Sequence, residues 1–106
     1  MKRTEKLLAP LASLKAQEKY IISGTKDNYY LPEELLEQAL EALEKEEETE
    51  VSTRLKELIK VFEFPESYSA RNLVLENEAW KNIRELTNTF LSSRNFDLNS
   101  WENHEL

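Results

Sequence analysis

The stretch of sequence that decides the fold runs from residue 32 to residue 62 and reads PEELLEQALEALEKEEETEVSTRLKELIKVF. Pro32 suits the first position of a helix, and Glu33 and Glu34 complement the positive end of the helix dipole. Apolar residues then recur at helical spacing, with glutamates on the other side: Leu35, Leu36, Ala39, Leu40 and Leu43. The pattern predicts an amphipathic helix that begins at Pro32.

The polar run from residue 44 to residue 50 interrupts this apolar pattern without a proline or a glycine. The pattern resumes at Val51 and ends near Phe62, before Phe64-Pro65. One long bent helix and two helices with a short link both fit these residues. We favour two helices, the second capped by Ser52 or Thr53, because so long a polar gap usually marks a place where the chain leaves the core.

Outward from this stretch, apolar spacing predicts further helices on both sides. The first runs from Thr4 to about Ile22, with Pro10 in its first turn or so, where a missing N–H costs least. The last strong helix starts after Asn77, a plausible cap, and continues through Phe90. Residues 67–75 are ambiguous and are compatible with a short helix.

The predicted fold class is therefore all-α, a small antiparallel helical bundle of about four helices over residues 1–93. Residues 94–106 are expected to form a C-terminal tail, partly packed or flexible, that contains Trp101. A short hairpin near residues 20–31 is an alternative for the connection between the first helix and the helix that begins at Pro32. Its turn would be residues 23–28, which contain the only glycine, Gly24.

Residue inventory excludes several classes of chemistry. The 106 residues include no cysteine, which excludes disulfides, thiol nucleophiles and cysteine-based metal sites. The single histidine, His104, lies near the C-terminus, and one glycine cannot build a glycine-rich phosphate loop. Glutamates four apart, such as Glu33 and Glu37, could share a cation, but a selective site needs ligands from several elements. We expect no enzyme activity, no cofactor and no metal site.

Negative charge is concentrated in one part of the chain. Residues 33–50, here called the acidic segment, hold nine glutamates and one lysine, a local charge of −8; because the whole chain carries −7, the remainder sums to +1. A localised excess is a candidate docking surface for a basic protein, whereas nucleic acid would be repelled.

The expected location of the protein is based on the lengths of its apolar stretches. No stretch is long enough for a signal peptide core or a membrane span. We expect a cytoplasmic protein with no membrane partner.

Two adjacent tyrosines precede the acidic helix, and tyrosine is enriched at interaction hot spots. The candidate partner-binding residues are Tyr29, Tyr30, Glu37, Glu41, Glu44 and Glu48. By analogy at the level of fold alone, the leading hypothesis is a small acidic protein-binding module that neutralises or inhibits a basic protein, as an immunity protein or antitoxin does. The alternatives are a regulatory adaptor, such as a phage-encoded protein that binds a host machine, and a structural homodimer.

Overall fold

Helices dominate the computed structural model, which describes residues 3–106. This part of the chain forms seven α-helices and one π-helical turn: α1 (Arg3–Ala12), α2 (Leu14–Gln17) with the π-helical turn Glu18–Ile22, α3 (Pro32–Glu44), α4 (Glu50–Val61), α5 (Ala70–Leu75), α6 (Glu78–Ser93) and α7 (Leu98–Glu105). The all-α prediction is confirmed. An antiparallel bundle of about four helices is not confirmed, because the chain divides into shorter helices.

The core is built around α1, which packs against both α3 and α6, while α4 packs against α6 and α7 covers part of α1. The largest side chains at its centre are fully buried: Leu8, Leu11, Leu43, Leu55, Leu73, Trp80, Ile83 and Leu91. Because α3 meets this core along one side only, its opposite side faces solvent.

The first predicted helix is broken at Ser13, which is extended (φ −98°, ψ 110°) and caps α2 by accepting from the backbone N–H of Ala16 at 3.0 Å. Pro10 therefore lies near the end of α1 and not in its first turn, so that part of the prediction is wrong. A proline inside a helix removes one hydrogen bond to the preceding turn and so weakens the last part of α1. The helix stops after Ala12 because Ser13 is extended. The buried amide of Gln17 binds two carbonyl groups at the break, those of Pro10 (3.1 Å) and Leu11 (2.7 Å).

The hairpin near residues 20–31 does not form, although a turn does. The turn holds an isolated bridge between Thr25 and Asn28, and one further bond joins the Tyr30 N–H to the Tyr20 carbonyl at 2.9 Å. No strand follows because residues 20–22 stay in the π-helical turn. Gly24 is required here, since a Cβ would lie 2.5 Å from both the Tyr20 carbonyl oxygen and the Tyr29 ring.

The polar run from residue 44 to residue 50 separates two helices, as predicted, with α3 ending at Glu44 and α4 beginning at Glu50. The cap of α4 is Thr49 and not Ser52 or Thr53. The Thr49 hydroxyl accepts from the Ser52 N–H at 3.1 Å, and the Ser52 hydroxyl accepts from the Thr49 N–H at 2.8 Å. This reciprocal capping box was missed because serine stands where glutamate or glutamine is usual.

The C-terminal part of the chain packs onto the rest. Asn77 caps α6 as predicted, with its side-chain oxygen 2.9 Å from the Trp80 N–H. In the tail, Trp101 of α7 is buried, and Glu102 accepts a hydrogen bond from the Ser13 hydroxyl at 2.5 Å. Among the helices of residues 3–106, none has the length and apolar character that a membrane crossing requires.

Candidate protein-binding surface

One side of α3 is a strip of exposed carboxylates, here called the acidic face. At 100° per residue its members occupy an arc of about 100°, and the 13-residue helix is about 20 Å long. The members are Glu33, Glu34, Glu37, Glu41 and Glu44. The other side of α3 is fixed in the core through Ala39 and Leu43. The carboxylates therefore stand on a support that packing holds in place.

Among residues 3–106, few cations pair with the acidic face. Within residues 3–106 its one ion pair joins Glu41 to Lys45 at 3.5 Å, and these side chains are 72% and 71% exposed. Exposed pairs of this kind contribute little stability and are screened by salt. In the described part of the chain, the five carboxylates outnumber the two cations beside Glu41, which are Arg3 and Lys45, so this surface is negative.

The rest of the acidic segment is partly used inside the fold. Glu48, a predicted contact residue, lies beyond α3 and pairs at 3.1 Å with Lys56, whose side chain is only 11% exposed. Glu46 accepts from the Thr4 hydroxyl at 3.1 Å and pairs with Arg94 at 2.7 Å. Glu46 thus stabilises the fold, and Glu48 balances a nearly buried cation.

Arg94 binds a second carboxylate as well, that of Glu5, at 2.8 Å. Burial by itself would lower the Arg94 pKa, but the hydrogen bonds to Glu5 and Glu46 and the two negative charges raise the pKa above its ordinary value. Arg94 therefore stays charged and is the cation around which α1, α6 and the α3–α4 loop meet.

The two predicted tyrosines occupy different environments. Tyr29 is 47% exposed. Tyr30 is half-buried against the core, with its ring centroid 4.7 Å from that of Tyr20. Burial, followed by the charges of Tyr20 and Glu105, raises the Tyr30 pKa. Of the pair, Tyr29 presents more surface to a partner, while Tyr30 covers the core.

A third tyrosine joins this region from a distant part of the chain. The Tyr68 hydroxyl donates to Glu33 Oε1 at 3.4 Å, and its ring stacks on Phe64 with centroids 5.7 Å apart. The Tyr68 pKa is raised by burial first, then by the charge of Glu33 and the hydrogen bond to it, and also by Tyr29. Nothing in the sequence places residue 68 beside residue 33, because the contact exists only after folding.

Tyr29, Leu31 and Tyr68 are exposed by 47%, 46% and 37%, and together they are here called the tyrosine patch. The patch lies at the N-terminal end of α3, beside Glu33. Of the predicted contact residues, the fold brings Tyr29 to this end, while Glu44 and Glu48 lie at or beyond the other end of α3. A single partner would have to span about 20 Å to contact all of them.

Two shallow concavities border these surfaces. One, of about 280 Å³, lies between α1 and α3; its lining is Arg3, Thr4, Leu7, Gln38, Glu41, Ala42 and Lys45. The other, of about 250 Å³, adjoins Tyr68; its lining is Pro65, Ser67, Tyr68, Asn72, Leu73, Glu76 and Asn77. In the described part of the chain, no group of three or more histidine, aspartate or glutamate side chains converges as a metal site.

Comparison of the chain with protein-family models, with curated proteins and with solved structures finds no match in any of the three.

Proposed function

We propose that this chain is a small acidic protein-binding module that captures a basic protein and inhibits or neutralises it, in the manner of an immunity protein or antitoxin. The observation that carries the proposal is the acidic face of α3, whose carboxylates are exposed and lie on a helix fixed in the core, with one ion pair among residues 3–106. A rigid surface of one charge speeds diffusional encounter with a surface of the opposite charge.

The charge of this face opposes the stability of its own helix. Glu33, Glu37 and Glu41 follow one another at spacing four, and like charges so spaced each cost a helix about 0.2–0.5 kcal/mol. Glu41 and Glu44 also lie near the negative end of the helix dipole, where cations are preferred. An arrangement that weakens the helix and strengthens the outward field is consistent with use in binding.

The test is a charge reversal that spares the residues used in the fold. We would change Glu37, Glu41 and Glu44 to lysine and leave Glu48 in place, because Glu48 balances Lys56. The matched control reverses three exposed glutamates outside α3, namely Glu57, Glu63 and Glu85. Each protein is tagged and used to capture partners from the lysate of its source cells at low and at high salt.

We expect the wild type and the control to retain the same basic protein at low salt, and the α3 variant to lose it. The α3 variant should keep roughly the stability of the wild type. The gain at the negative end of the helix dipole, and from Glu33 beside a lysine at position 37, offsets the new repulsion among lysines at positions 37, 41 and 45. Unfolding measurements on all three proteins therefore separate lost binding from lost folding. Inhibition is then tested by adding the purified module to the captured protein's own activity assay. Equal capture by all three proteins would show that the acidic face does not bind the partner. If each protein captures only further copies of this chain, the structural homodimer is indicated instead.

A further inference from the structure

The tyrosine patch combines apolar exposure with an unneutralised carboxylate. Glu33 accepts a hydrogen bond from Tyr68, and within residues 3–106 it forms no ion pair. Tyr29 and Leu31 are exposed and lie in the chain directly before Pro32, the first residue of α3, whose first turn holds Glu33. Glu34, also exposed, follows Glu33 in the first turn of α3. Aromatic faces and carboxylate oxygens thus meet at one place on the surface.

This combination favours the guanidinium group of arginine over other side chains. A guanidinium group stacks on an aromatic face and also donates two parallel hydrogen bonds to a carboxylate, whereas an ammonium group is more strongly hydrated and does not stack. Phe64 supports Tyr68 from behind, since their rings are stacked at an interplanar angle of 29°. An aromatic side chain that packing already orients loses less conformational entropy when a ligand stacks on it than a mobile side chain does.

We propose that the tyrosine patch, with Glu33, is the site that binds an arginine side chain of the basic partner. The assignment rests on the proposed function and goes beyond it, because it divides recognition into two parts. The acidic face of α3 attracts any cationic surface over a distance and in a manner that salt weakens. The tyrosine patch distinguishes arginine from lysine at short range.

The test uses two synthetic peptides of equal charge as probes, Gly-Arg-Gly-Arg-Gly-Arg-Gly and its lysine counterpart, both with blocked ends. Binding is followed by NMR chemical-shift changes of backbone amides and tyrosine ring protons, at 20 mM and 150 mM salt. The proteins compared are the wild type, Tyr29→Ala, Tyr68→Ala and Tyr68→Phe. Leu14→Ala is the control, because it shortens an exposed apolar residue of α2 outside the patch.

We expect the arginine peptide to bind the wild type at least threefold more tightly than the lysine peptide, with shifts at Tyr29 and Tyr68. Each alanine variant should lose this preference while its affinity for the lysine peptide stays unchanged. Tyr68→Phe keeps the ring and Leu14→Ala lies elsewhere, so both should retain the preference.

The possible failures are distinguishable. In one outcome, both peptides bind α3 with equal affinity, salt releases them, and the tyrosine ring signals do not shift. That outcome overturns the arginine site but leaves the proposed acidic binding module supported. If neither peptide binds at 20 mM salt, the proposed function is overturned, and the arginine site with it.

Discussion

Arg94 Nε lies 2.8 Å from Glu5 Oε1, and this ion pair joins the C-terminal cap of α6 to the first turn of α1. The Glu5 side chain is 8% exposed, and its second oxygen, also buried, has no hydrogen-bond partner in the described part of the chain. Burying a carboxylate is costly unless a cation compensates it, so Glu5 depends on Arg94.

The first prediction concerns this pair. Changing Arg94 to methionine should lower the free energy of unfolding by about 3 kcal/mol, because Glu5 would remain buried without its cation. The double variant Glu5→Met with Arg94→Met should recover much of the loss. Urea unfolding followed by circular dichroism measures both. Lys45→Ala, which removes the exposed pair with Glu41, is the control and should cost under about 0.5 kcal/mol; an equally small cost for Arg94→Met would contradict the argument.

Gln17 is the second target, because it is fully buried and joins three parts of the fold. Its side-chain oxygen accepts from Trp80 Nε1 at 3.0 Å and from Arg84 Nη1 at 2.8 Å, while its amide nitrogen bonds the carbonyls at the α1–α2 break. Burial lowers the Arg84 pKa, although the charges of Glu85 and Glu18 oppose this effect.

Replacing Gln17 with leucine should leave the Trp80 N–H without its acceptor and cost about 2–4 kcal/mol in total, since each unsatisfied buried group costs about 1–3 kcal/mol. Thermal unfolding measures the loss, and tryptophan fluorescence, recorded in a Trp101→Phe background so that Trp80 alone contributes, reports the changed surroundings. Gln38→Leu, on the exposed side of α3, is the matched control and should be nearly neutral. Similar stabilities for the two variants would show that the buried amide is dispensable.

Trp101 provides a test of whether the C-terminal helix belongs to the folded unit. It is 7% exposed and packs with Ala9 and Ala16, so α7 covers the α1–α2 junction. Trp101→Ala should destabilise the protein by about 3 kcal/mol, as expected for removal of a buried tryptophan. Hydrogen exchange should show faster exchange in α7 and around Ser13, while α4 stays protected. A variant with wild-type stability would mean that α7 is an independent tail in solution.

The contact between Tyr68 and Glu33 predicts a dependence on alkaline pH. The Tyr68 pKa is raised above its ordinary value by burial first and then by Glu33. The folded state therefore keeps this proton at pH values where the unfolded chain has lost it. The stability associated with the proton is fully present below about pH 10, the ordinary tyrosine value, and is lost as pH rises through the folded pKa.

Glu33→Gln should lower the Tyr68 pKa towards its ordinary value, because the negative charge is removed while the burial remains. Absorbance titration at 295 nm measures the change, with Tyr68→Phe subtracted to identify the residue. Glu37→Gln, one turn further along α3, is the control. An unchanged Tyr68 titration in Glu33→Gln would show that the two side chains are not in contact.

Local patterns in the sequence were sufficient to predict several elements. Pro32 and the apolar spacing after it predicted α3, and Asn77 predicted the start of α6, because helix starts depend on neighbouring residues. The break of the first helix was not predicted, since Ser13 caps α2 locally but is held by Glu102, 89 residues away.

For the candidate surface too, some features could be predicted from local sequence and others could not. The spacing of its glutamates was enough to place the acidic face on the exposed side of α3, because helical periodicity puts the apolar residues on the opposite side. Only the tertiary structure decided that Glu46 binds Arg94, that Glu48 balances Lys56 and that Tyr68 lies beside Glu33. These contacts join residues from separate elements, and their partners are chosen by how the helices pack, which no local pattern encodes.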